Sequence, residues 1–64
     1  MYTSDVELTD NNLDYWKQKL AADILSLYGL SDYAETCSDE EWLDMYRGYT
    51  VAEAISSEVE GWAP

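Results

Sequence analysis

TDNNLDYWKQKLAADILSLYGL, residues 9–30, decides the fold. Leu13, Trp16, Leu20, Ile24 and Leu27 recur at three- and four-residue spacing, which puts them on one face of an α-helix. Thr9 is a suitable N-cap, and Asp10 falls in a first turn, where the helix dipole favours an anion. Leu8 and Leu13 have the spacing of a hydrophobic staple. Gly29 followed by Leu30 resembles a Schellman ending. These signals predict a helix over about residues 10–28. Ala21, Leu25 and Tyr28 widen its apolar surface in the second half, which predicts neighbours on two sides there.

The segments downstream read as short helices. SDYAET, residues 31–36, fits a helical turn capped by Ser31. Ser38 followed by Glu41 is a capping box, and Cys37 with Trp42 fits a second staple. A helix over about 39–47 follows, stopping at Gly48, with Trp42, Met45 and Tyr46 on one side and Glu40, Glu41 and Asp44 on the other. Thr50 and Glu53 repeat the box and open a helix over about 51–60, with Gly61 as its stop. Val51, Ala54, Ile55, Val59 and Trp62 form its apolar stripe, and Glu58 at the edge of that stripe needs a partner, Arg47 or a tyrosine hydroxyl. Upstream, YTSDVEL (residues 2–8) alternates weakly, but no second strand-like run exists to pair with it. Residues 1–8 therefore read as an N-terminal arm, able at most to add to a partner's sheet edge. The fold class is all-α: a single domain, residues 1–64, in which one long helix is packed by two or three short ones. The short helices cannot persist alone, so packing on the long one makes the fold.

Composition limits what such a domain can be. A chain of 64 residues buries only about 60% of its unfolded surface, so its stability is marginal without a staple. Cys37 is the only cysteine and there is no histidine, so neither an intrachain disulfide nor a histidine-assisted zinc site is available. A lone thiol suits a reducing cytosol, and the start of the chain predicts no signal peptide. No apolar stretch is long enough to span a bilayer. Three Trp and six Tyr exclude a disordered acidic tail, which would be poor in aromatics. Six Tyr against no Phe leaves nearly every smaller aromatic with a polar tip, as at interfaces or at the rim of a small core.

Catalytic chemistry finds no foothold. There is no Ser-His or Cys-His pairing and no glycine-rich phosphate loop, and acids on convex helix faces lack the desolvated pocket that acid–base work requires. Asp10, Asn12 and Asp14 match the opening of an EF-hand loop. Tyr15 then stands at the glycine position and Ala21 at the bidentate glutamate position, so no metal site is predicted. No cofactor is implied, and Cys37 reads as a small packed residue with no cationic neighbour to activate it.

Charge is the informative quantity. The net charge is −11. Residues 1–29 hold five acids and two lysines, a net of −3; residues 30–64 hold nine acids and one arginine, a net of −8. Solubility alone is served by a magnitude of about 2–8 in a small domain. Such a chain is repelled by nucleic acid and by anionic membranes, so its favoured partner is a basic protein, above all a nucleic-acid-binding enzyme or complex. The candidate contacts are Asp32, Glu35, Glu40, Glu41 and Asp44 as phosphate substitutes, with Tyr33, Tyr46 and Tyr49 beside them. In size, charge and tyrosine content, though in no shared motif, the chain resembles the small acidic inhibitors of bacteriophages and mobile elements. DNA-mimic anti-restriction and anti-CRISPR proteins belong to that class. The resemblance implies carboxylate mimicry that blocks a host nucleic-acid-binding surface. The alternative is a non-enzymatic adaptor or oligomerisation module that binds through exposed Tyr and Trp.

Overall fold

A computed structural model describes residues 6–62. The long helix, α1, spans Leu13–Tyr28 and starts later than its capping signals predict. Thr9 does not cap it. The Asn12 side chain accepts from the Thr9 N–H (2.8 Å) and donates to the Glu7 carbonyl (2.7 Å), while the Thr9 hydroxyl accepts from the Asn11 N–H (3.3 Å). Short polar side chains that bond nearby backbone offer the chain an alternative to helix, and those of Thr9 and Asn12 hold residues 9–12 in a turn. At the other end Gly29 takes φ +73° and donates its N–H to the Leu25 carbonyl at 2.9 Å, the left-handed cap that glycine adopts without a Cβ penalty.

Beyond α1, a single 3-10 turn at Tyr33–Glu35 precedes α2 (Asp39–Tyr46) and α3 (Val51–Trp62). Asp32, in the left-handed region at φ 57°, heads the 3-10 turn, in place of the expected Ser31. The capping boxes of α2 and α3 both form: Ser38 exchanges bonds with Glu41, and Thr50 with Glu53. α2 ends at Tyr46 because Arg47 turns extended and Gly48 follows at φ +85°. α3 runs through Gly61, its predicted stop. A glycine costs a helix only about 1 kcal/mol against alanine. Continuing the helix lets the Trp62 ring meet Tyr28 and Tyr33 edge-on at 5.1 and 5.5 Å and its N–H reach the Tyr33 hydroxyl at 2.9 Å.

The N-terminal segment is also built in. Of the predicted arm, residues 1–5 lie outside the described residues. Leu8 is fully buried, and its N–H and carbonyl bond Tyr49 and Gly48, each at 2.9 Å, with an isolated antiparallel bridge between Glu7 and Thr50. The pairing partner is the α2–α3 corner, which carries no strand pattern in the sequence.

The core gathers Trp16, Leu20 and Ile24 of α1, Trp42 and Tyr46 of α2, and Val51, Ala54 and Ile55 of α3 around Leu8. Trp16 and Trp42 meet edge-on at 6.1 Å, and Tyr46 stacks on Trp42 at 5.8 Å. Leu27 was expected to extend this face but is 62% exposed. It lies on the core stripe of α1, one turn beyond Ile24, the last buried position of that stripe. Trp62 is likewise a surface ring and not a core residue, at 38% exposure. The C-terminal half of α1 thus meets both the 3-10 turn and the end of α3, and these neighbours leave Leu25 and Leu27 largely exposed.

Trp16→Ala removes the largest buried side chain of α1. We expect a loss of about 3–5 kcal/mol, as much as a core of this size usually supplies in total. The variant should show little cooperative unfolding in a denaturant titration, whereas Leu27→Ala should stay close to wild type.

Candidate functional site

The acidic segment of α2 begins as a solution to a backbone problem. The first four N–H groups of a helix have no partner within it. Ser38 accepts from the Glu41 N–H at 3.3 Å and Glu41 accepts from the Ser38 N–H at 2.9 Å. The bond from the Ser38 N–H, and after it the Ser38 side chain, hold the Glu41 carboxyl below the ordinary glutamate range. A second acid of the segment is also engaged, since Asp39 receives the Lys17 ammonium at 2.6 Å and ties α2 to α1. Glu40 and Asp44 remain, exposed and four residues apart, with Cβ atoms about 5–6 Å from each other.

The eight residues that the sequence grouped together thus divide by role. Asp32, Glu35, Glu40 and Asp44 are exposed, and among the described residues none has a cation at ion-pair distance. Glu41 is exposed but works as a cap. Tyr49 is 44% exposed and packs edge-on against Tyr46 at 5.4 Å. The other two tyrosines are structural. Tyr46 is 4% exposed and donates its hydroxyl to Glu58, and Tyr33, half-buried, donates to the other Glu58 oxygen at 2.6 Å. Tyr46 cannot be a surface contact, because its ring fills the space between Trp16, Trp42 and Tyr49.

Glu58 has the tyrosine partners that its place on the stripe demanded, and Arg47 pairs instead with Asp10. Trp62 extends the chain of bonds through Tyr33. Burial, then the bond to the Glu58 carboxylate, pushes the Tyr33 hydroxyl up. The same two causes push Tyr46 up to about 12.

The three cations of the chain are all engaged: Lys17 on Asp39, Arg47 on Asp10, and Lys19 over the Tyr15 ring at 5.3 Å. None of the three α-helices has a basic residue in its last turn. Their C-terminal dipole ends, each equivalent to about half a negative charge, add to the acidic field.

One feature escaped the sequence reading. An open groove of about 500 Å³ lies between α1 and the 31–35 segment, floored by Ala21, Ala22 and Leu25. The widened apolar face of α1 was the signal for it, but nothing in the sequence distinguished a buried second face from an uncovered one. No cluster of potential metal ligands occurs among the described residues, and none of their helices is long and apolar enough to cross a membrane. No protein-family model, curated protein or solved structure matches the chain.

Two measurements test this division of roles. Glu40→Gln with Asp44→Asn should leave the melting temperature unchanged or slightly higher, since like charges four apart repel by a few tenths of a kcal/mol. For Tyr46, ionisation is harder in the folded chain, so its contribution is intact below pH 10, the ordinary tyrosine value, and is lost as pH rises toward 12. Stability should fall steeply in that window, followed by tyrosinate absorbance and circular dichroism. Tyr46→Phe should flatten the fall while costing about 1.5–3 kcal/mol at neutral pH, the range for a hydrogen bond to a charged group.

Proposed function

We propose that the chain is a small non-enzymatic inhibitor that occupies a basic nucleic-acid-binding surface of a host defence or DNA-processing protein. It offers carboxylates where phosphates would lie, in the manner of phage and mobile-element anti-restriction and anti-CRISPR proteins, and acts in the host cytosol. The observation that carries this reading is the complete engagement of the cations beside four exposed, unpaired carboxylates, Asp32, Glu35, Glu40 and Asp44. Duplex DNA carries one charge per roughly 1.7 Å of axis. A mimic must therefore combine several elements, and here the 3-10 turn and α2 both contribute. The Trp42 indole N–H, bonded to the Ala34 carbonyl at 2.8 Å, holds those two elements together. Pre-organisation of this kind lowers the entropy cost of binding.

A second reading, an adaptor that binds through apolar contacts, is favoured by the exposed Leu25, Tyr28 and Leu30 of α1 and its end and by Trp62.

The test is competition. A basic target held on double-stranded DNA resin should be released by this protein, less effectively as salt rises from about 50 to 200 mM. Reversal to lysine at Asp32, Glu35, Glu40 and Asp44 together should abolish release with the helical spectrum unchanged. A ternary complex of target, DNA and this protein, formed with affinity indifferent to salt, would sink direct mimicry and leave the adaptor reading in its place.

A further inference from the structure

We infer that the groove between α1 and residues 31–35 seats a cationic amphipathic segment of the partner, with one apolar side chain anchored between flanking Lys or Arg residues. The inference rests on the reading above only in taking the partner to be basic. It adds that charge is not the whole of recognition, since a nucleic-acid-like surface needs no apolar seat.

The seat follows from the geometry of α1. Asp14, Gln18, Ala21 and Leu25 succeed one another at three- and four-residue spacing and form a stripe away from the Trp16–Leu20–Ile24 core face. Two alanines in succession, Ala21 and Ala22, leave a hollow that longer side chains would fill, and Leu25 closes one end while 51% exposed. Ala34 and its neighbours form the opposite wall. A volume of about 500 Å³ lies within the roughly 300–1,000 Å³ of sites that take compact ligands or anchor side chains.

Charge selects the occupant. Asp14, Asp32 and Glu35 line the groove, and its single cation, Lys17, is bound to Asp39 at 2.6 Å. The C-terminal end of α1 adds its negative dipole with no basic residue in the last turn. An acidic segment is repelled from such a rim. So is a second copy of this chain, which brings −11 of its own. A helix with apolar residues at three- and four-residue spacing and lysines or arginines beside them satisfies both floor and rim.

The probe is a synthetic helical peptide of leucine and lysine, leucines at that spacing, compared with the same peptide carrying glutamine for every leucine. Calorimetry on the full chain should give the leucine peptide an excess affinity of at least about tenfold, or 1.4 kcal/mol. Amide shifts should centre on Ala21, Ala22, Leu25 and Ala34. Ala22→Arg and Leu25→Gln should each abolish the excess. Both positions are exposed and both new residues are good helix formers, so the fold should persist, checked by circular dichroism. Two variants guard against the loss of either.

An excess that survives both variants, or no excess at all, overturns the groove as the seat. So does sedimentation showing a dimer that Ala22→Arg dissociates, which would assign the groove to a second copy. Glu40→Gln with Asp44→Asn separates this failure from failure of the electrostatic reading. The pair should weaken both peptides alike and leave the excess intact. If it weakens both while the excess is absent, only the groove is wrong. If the excess is present and the pair changes nothing, the groove stands and the acidic face is not the contact.

Discussion

Two indole N–H groups organise this domain. Trp42 donates to the Ala34 carbonyl at 2.8 Å and Trp16 to the Tyr49 carbonyl at 3.2 Å, and both rings are fully buried. Each bond joins a regular helix to an irregular connector: Trp42 holds the 3-10 turn, and Trp16 holds the α2–α3 corner. The Tyr49 carbonyl also accepts from Leu8, so one backbone oxygen links the N-terminal segment, α1 and the corner. A buried indole must find an acceptor. Here that requirement supplies the long-range restraints that a core without an intrachain disulfide otherwise lacks.

A second polar chain runs beside the first, through Tyr33 next to Ala34. Trp62 donates to Tyr33, and Tyr33 and Tyr46 both donate to Glu58. A carboxylate at the edge of an apolar stripe is costly without partners, and two hydroxyls on different elements meet the need. Among the described residues, no buried side-chain polar atom lacks a hydrogen bond. The abundance of tyrosine over phenylalanine finds part of its explanation here. The rings fill the core, and their tips bind a charge that no cation reaches.

With the frame held from inside, the surface is released from structural duty. Asp39, Glu41 and Glu53 are used in an ion pair and two caps, and Glu58 in the tyrosine network. Asp32, Glu35, Glu40 and Asp44 make no such contribution, and their mutual repulsion is a cost that the fold bears without return. This asymmetry, more than the net charge, is what supports the proposal that the acidic face meets a partner. The open groove beside α1 adds an apolar element to the same acidic surroundings.

The sequence by itself determined the helices, because their signals are local. Capping boxes join residues three apart, and apolar stripes repeat within one element, so Ser38–Glu41, Thr50–Glu53 and Trp16–Leu20–Ile24 were legible before any contact was known. Local signals erred where two of them competed. The polar run at 9–12 used its side chains on a turn instead of a cap, and Gly61 was overruled by the ring contacts of Trp62. Only the tertiary structure decided which apolar positions are covered, and hence that Leu27 and Leu25 face outward. It alone turned Tyr33 and Tyr46 inward to Glu58 and separated working carboxylates from idle ones. Periodicity reports the face a residue occupies, whereas burial and pairing depend on what lies across from that face, set by contacts between residues far apart in sequence, such as Asp10 with Arg47 and Leu8 with Tyr49.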